Sequence, residues 1–253
     1  MSPMSSIPSI SAMPPMPPMP AMPSRHTPRH ILFDIDDTLF PSTEFATLAR
    51  KNALNAMISM GLAVSYEKLD RTLGKILKQK GSNYQNHFDL ICRHFNVNNP
   101  ARFVAAAVAA YHDTKTAIAP FPEIPLLLFR LRENGHMLYV ATNGNAVKQW
   151  DKLIRLRIAH YFHDVFVSEE IGREKDVLFF RKVLKEIHAK PEDCIMIGDR
   201  ETADIIPAKI VGLRTIRVMQ GKYSIEYANI KTKTVANDTA KNIGALRKIL
   251  LGA

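Results

Sequence analysis

HILFDIDDTL, residues 30–39, is the stretch on which the fold turns. Its first part, HILFDI, is a short apolar run without helical spacing and reads as a buried strand. Its second part sets acids at 34, 36 and 37 just beyond that strand. Downstream, helix and strand alternate. A helix over 123–134 leads through Gly135 to HMLYVAT (136–142), a helix over 145–158 to DVFVS (164–168), and a helix over 176–188 to CIMIGD (194–199). A helix over 202–211 then leads through Gly212 to LRTIRV (213–218), and a helix over 241–250 closes the chain. Such alternation implies parallel strands joined by crossovers, with helices on both faces of the sheet. The predicted fold class is therefore α/β, a doubly wound parallel sheet of Rossmann type. Pro207 lies inside the last predicted crossover helix, which must begin late or kink there.

Two zones depart from this alternation. Residues 43–118 carry no strand pattern: FATLARKNALNAMISMGL (45–62), 66–80, 84–95 and 101–112 read as four helices, broken at Gly81-Ser82-Asn83 and at 96–100. This is a helical insert after the first strand, a second domain set into a core of 29–42 and 119–253. Residues 1–28 hold nine of the 16 prolines and six of the 11 methionines. Proline at that density blocks helix and sheet, so this segment is expected to be a disordered Met/Pro-rich tail. It has no apolar core of the secretory type and too little basic charge for a transit peptide.

Composition narrows the function classes. The 253 residues are 46% hydrophobic and 23% charged, a globular balance. Apolar runs are too short to span a membrane. Only two cysteines occur, which argues against a disulfide framework or a cysteine zinc site and fits a reducing cytoplasm. The net charge is +10. A basic balance points to an anionic partner, nucleic acid or a small phosphorylated metabolite, or to no more than a solvated basic surface. Because the basic residues are scattered rather than striped, nucleic acid is the less expected partner, and no membrane partner is expected. A monomer or homodimer is expected.

In open parallel sheets, ligands bind beyond the carboxyl ends of the strands. The residues there are Asp34, Asp36 and Asp37 after the first strand; Thr142, Asn143 and Gly144 after the second; Lys175 in the loop after the third; and Asp199 and Asp204 after the fourth. Singly, each has an ordinary reading as a turn, cap or surface residue. Four strand ends carrying such groups in this order point to one site.

The set Asp34-x-Asp36-x-Thr38, Thr142-Asn143, Lys175 and Gly198-Asp199-x-x-x-x-Asp204 resembles the four motifs of the haloacid dehalogenase (HAD) superfamily of phosphohydrolases. The likeness runs from about residue 29 to the end, and the helical insert resembles the cap of the subfamily whose cap lies between the first two motifs. Within the insert, ARKNALNAM (49–57) and KGSNYQNHFDL (80–90) are similar to a mostly archaeal group that includes glyceraldehyde-3-phosphate phosphatases. Two departures stand out: Asp176 follows Lys175 where the family usually has proline, leaving a looser loop, and Arg200 follows Asp199 where small residues are common.

The resemblance implies an Mg²⁺-dependent phosphatase of small sugar or triose phosphates that works through an aspartyl phosphate, with a pyrimidine 5′-nucleotidase as the alternative. It makes Asp34 the nucleophile and Asp36 the acid and base. Thr142, Asn143 and Lys175 would hold the phosphoryl oxygens. The metal would take the Asp34 carboxylate, the Asp36 carbonyl and Asp199, with Asp204 at the same site, bound through water or orienting the ligands. These roles suit the chemistry: a carboxylate can attack phosphorus, and Mg²⁺ takes hard oxygen ligands. Asp36 separates the chain from dehalogenases, which lack that second acid. A binding module built on the Met/Pro tail is the non-enzymatic alternative. His160-x-x-His163 lacks a third ligand and reads as structural, and Lys148, Lys152 and Arg155 read as a solvated helix face.

Overall fold

The computed structural model describes residues 30–82, 84–221 and 235–252. The Met/Pro tail and Asn83 lie outside the described residues. Six parallel strands form one sheet: β1 (His30–Phe33), β2 (Met137–Thr142), β3 (Asp164–Val167), β4 (Cys194–Gly198), β5 (Arg214–Val218) and β6 (Asp238–Ala240), in the order β3-β2-β1-β4-β5-β6. The sequence pattern predicted the first five. β6 is only Asp-Thr-Ala, too short and polar to show as an apolar run, and it pairs along β5 at the sheet edge.

Period-two alternation divides the strands between two apolar layers. Ile31 and Phe33 of β1, with Leu138, Val140, Ile195 and Ile197, pack against α5 (Ile124–Glu133), α6 (Ala146–Arg155) and α10 (Ile243–Leu251). Leu32, Tyr139, Ala141 and Met196 face the other way, onto α8 (Val177–Glu186) and α9 (Ile206–Val211) through Phe179, Phe180 and Ala208. α7 (Ser168–Ile171) is a single turn after β3. Each fully buried Leu, Ile or Phe contributes roughly 1.5–3 kcal/mol, so these two layers hold the sheet rigid. α9 begins at Ile206, with Pro207 in its first turn, where no N–H is needed; the preceding residues 201–205 form a wider turn.

Between β1 and α5 the chain forms α1 (Ser42–Ser59), α2 (Tyr66–Lys80), α3 (His87–His94) and α4 (Ala101–Lys115). Their apolar faces close on a third cluster that includes Leu54, Met57, Leu69, Leu73, Ile91 and Phe103. Phe45 of α1 packs against the first of the two sheet layers, and polar contacts also tie these helices to the rest. Asp37 accepts the Thr43 N–H at 2.9 Å and the Thr43 hydroxyl at the start of α1. Lys115 at the end of α4 lies 3.9 Å from Asp151 on α6. Asp37 is thus a helix-anchoring residue. Its φ of +54° is a conformation that Asp tolerates better than most residues.

Candidate active site

β1 and β4 are neighbours at the centre of the sheet, with Phe33 opposite Ile197. The pairing runs one step further, because the Asp34 N–H donates to the Ile197 carbonyl at 2.9 Å. Asp34 and Asp199 therefore leave adjacent strand ends side by side. The wide turn at 201–205 brings Asp204 back to the same point, where its carboxylate accepts the Arg200 N–H at 2.9 Å. Gly198 makes that return possible: a Cβ there would stand 2.4 Å from the Asp204 carboxylate. One carboxylate oxygen from each of Asp34, Asp199 and Asp204 falls within 4.8 Å of the others, and all three residues are buried.

Lys175 enters from the loop between α7 and α8. Its ammonium donates to Asp34 at 2.6 Å, to Asp204, and to the Ala141 carbonyl at 3.2 Å. All three of its protons thus face groups of the protein, so contact with a phosphoryl oxygen requires exchange of one of these partners. Asp176 follows Lys175 where the resemblance leads one to expect proline. That side chain caps α8 by accepting the Phe179 N–H at 2.8 Å and pairs with Arg173 at 2.5 Å. The Lys175 N–H also donates to Asn143 Oδ1 at 2.8 Å. A helix cap and an ion pair thus hold the position next to Lys175.

The site carries three carboxylates against one ammonium. Burial pushes the Asp199 carboxyl up to about 9, with Asp34, Asp204 and Asp37 adding to the shift. Burial also pushes Asp34 up to about 7, Lys175 opposing the shift and Asp204 and Asp36 adding to it. Burial alone would lower the Lys175 ammonium, but Asp204 and Asp34 outweigh it and raise its pKa. Asp199 Oδ1 is buried and has no hydrogen-bond partner among the described residues. A buried, unpaired carboxylate oxygen is costly. A hard divalent cation would relieve both that orphan and the excess negative charge, and an all-oxygen donor set suits Mg²⁺ rather than a soft metal.

The remaining predicted residues lie around this centre. Thr142 is buried at the end of β2, with Asn143 beside it. Asp36 is half-buried on the loop after β1, and its side chain turns toward α6 rather than joining the carboxylate trio. Of the pair His160 and His163, the latter accepts the Leu138 N–H at 3.0 Å and braces β2.

Three functional neighbours escaped the sequence reading. Gln149, buried on α6, donates from Nε2 to Thr142 Oγ1 at 3.0 Å and to the Asn143 carbonyl at 2.5 Å. Lys152, one turn further on, is no solvated residue: its ammonium lies 2.7 Å from both oxygens of Asp36. Arg217 on β5 donates to the Asp199 carbonyl at 3.1 Å and to Glu201 at 2.8 Å, deep in the protein. The i, i+3 spacing of Gln149 and Lys152 on the helix after Thr142-Asn143 was the available signal. A lone arginine within a strand gave none.

Comparison with known proteins identifies the family. Residues 31–218 match the haloacid dehalogenase-like hydrolase family. A glyceraldehyde 3-phosphate phosphatase of Methanopyrus kandleri is 47% identical over 197 residues, 76% of this chain and 84% of that protein. One from Methanocaldococcus jannaschii is 42% identical over 195 residues, 76% of this chain and 86% of its own length. The crystal structure of a HAD phosphatase from Thermococcus onnurineus superposes with a TM-score of 0.61 at 20% identity, covering 88% of this chain and 98% of that one, a likeness of fold. The chain belongs to the haloacid dehalogenase-like hydrolase family, as an enzyme of the group formed by these archaeal phosphatases.

Proposed function

We propose that the chain is an Mg²⁺-dependent phosphatase that hydrolyses a small sugar or triose phosphate through an aspartyl phosphate on Asp34. The buried Asp34, Asp199 and Asp204 trio, with an unpaired Asp199 oxygen at the end of the central strands, carries this reading. Asp34, the Asp36 carbonyl and Asp199 would hold the cation, with Asp204 beside them. When bound, Mg²⁺ supplies the positive charge that offsets repulsion between a carboxylate and a phosphate dianion. Asp34 attacks phosphorus, a new O–P bond forms, and the ester P–O bond breaks. Asp36 gives a proton to the departing alkoxide and then takes one from the water that cleaves the acyl phosphate. The Thr142 hydroxyl and the Asn143 N–H are suited to hold phosphoryl oxygens as charge builds on them. Lys175 holds the nucleophile in place.

The helical segment 43–118 serves in this reading as a cap, hinged near the Asp37–Thr43 contact, whose closure excludes water and admits only small substrates. The substrate class rests on the relatives' shared name and on that cap. The two cysteines are free and buried, which suits the reducing cytoplasm expected from composition. No helix among the described residues is long and apolar enough to cross a membrane. A phosphate-release screen over triose phosphates, sugar phosphates, phosphoglycolate and nucleoside monophosphates, with Mg²⁺ or with EDTA, tests the proposal. Triose or sugar phosphates should be turned over best, and only with the metal. Preference for pyrimidine nucleotides would replace this reading with the nucleotidase one, and full turnover in EDTA would end the metal reading.

A further inference from the structure

We propose that Lys152 is a positioning residue for Asp36, holding its carboxylate by both oxygens in the orientation from which it exchanges protons with the leaving group and with water. The inference rests on the role given above to Asp36. The two residues stand 116 positions apart, and the Lys152 ammonium reaches Asp36 from α6 with equal distances of 2.7 Å to Oδ1 and Oδ2. Lys152 Nζ also lies 5.8 Å from the centre of the Phe40 ring. Phe40 in turn is bridged by its backbone to Asp36. The loop therefore presents the acid and an aromatic platform for the cation together.

The ion pair is part-exposed, at 23% for the Lys152 side chain and 39% for Asp36. Pairs of this exposure add little to stability, so its value lies in orientation. A loop carboxylate has several staggered rotamers open to it. Charge-assisted contacts from one ammonium to both oxygens favour the rotamer that faces α6. α6 itself is fixed on both sides: Gln149 is bonded to Thr142, and Asp151 meets Lys115 of α4 at 3.9 Å. The phosphate-facing hydroxyl, the acid and the helix insert are thus all referred to one helix.

Steady-state kinetics of K152M, K152R, D36N and D36N/K152M test this, each with an alkyl phosphate and an aryl phosphate. Misplacing a catalytic group by about 1 Å costs up to about 10²-fold. K152M should lower kcat for the alkyl ester by about tenfold to a hundredfold, with KM little changed. The aryl ester needs little protonation and should be hardly affected. K152R keeps a two-point cation and should recover most of the loss. The decisive comparison is non-additivity: D36N/K152M should be no slower than D36N. Equal losses on both esters, or losses that multiply in the double variant, would overturn the proposal and make Lys152 a substrate contact or a scaffold residue. If D36N itself fails to discriminate between the esters, the fault lies in the role given to Asp36, and the Lys152 proposal falls with it. Equal melting temperatures of the four proteins confirm that the comparison is between folded enzymes.

Discussion

Replacing Asp199 by Asn should make the metal-free enzyme more stable while abolishing its activity. Asp199 is 2% exposed, and its carboxyl is raised from an ordinary 3.8 to about 9 by burial and by its acidic neighbours. At neutral pH the folded protein must keep this group protonated, or hold it charged against Asp34 and Asp204. The unfolded chain ionises it freely. At 1.36 kcal/mol per pK unit, the penalty at pH ~7 is about 4 kcal/mol, and relaxation of the site brings it to roughly 2–4 kcal/mol. A raised folded-state pKa means that the native state binds the extra proton. Stability from this group is therefore full below pH ~4 and is lost as pH rises toward ~9. Asn fits the same space without that penalty. For a protein of this size the gain corresponds to about 5–15 °C in Tm. Thermal unfolding in EDTA, at pH ~5 and pH ~8, measures it. The stabilisation should be small at the lower pH and large at the higher. With excess Mg²⁺ the wild type should recover, because a ligand of the native state stabilises it, and D199N should not. A destabilised D199N, or a shift independent of pH, would refute the reasoning.

Gly198→Ala places a methyl group 2.4 Å from the Asp204 carboxylate; activity should fall by at least about 10²-fold as Lys175 loses its anchor, with a lower Tm in calorimetry. Gln149→Met removes the donor to Thr142 Oγ1 and to the Asn143 carbonyl, so the Thr142 hydroxyl is free to turn toward that carbonyl and away from phosphate. Inhibition by inorganic phosphate should weaken by about tenfold, the worth of one hydrogen bond, equally for alkyl and aryl substrates. Arg217→Met removes the buried cation that donates to the Asp199 carbonyl and to Glu201, whose other carboxylate oxygen still accepts the Val235 N–H, and urea titration should show a loss of about 3 kcal/mol.

The architecture was open to sequence reading because apolar strands alternate with helical periods, a signal that burial on both faces enforces. β6 was not, since Asp238–Ala240 is held by its pairing with β5 and has no hydrophobicity of its own. Asp34, Asp199 and Asp204 could be grouped because each follows a strand and the parallel sheet brings such ends together. The reach of a long side chain was harder to read. Lys175 stood out as a loop lysine, yet nothing in the order of residues says that Asp34, Asp204 and the Ala141 carbonyl take all its protons. Lys148, Lys152 and Arg155 look alike along the sequence. Only the tertiary placement of α6 singles out Lys152, by setting it beside Asp36. Asp176 likewise gave no sign along the sequence that it caps α8 and pairs with Arg173.

Rapid-quench labelling with a ³²P-phosphoester tests most directly whether Asp34 and Asp36 divide the work. Wild-type enzyme should form an acid-stable, base-labile phosphoprotein transiently. Asp36→Asn keeps the nucleophile and loses the base, so labelled protein should accumulate while turnover falls by ~10²–10⁴-fold. Asp34→Asn has no carboxylate to phosphorylate and should carry no label. Label on Asp34→Asn, or turnover by Asp36→Asn equal to wild type, would contradict the assignment.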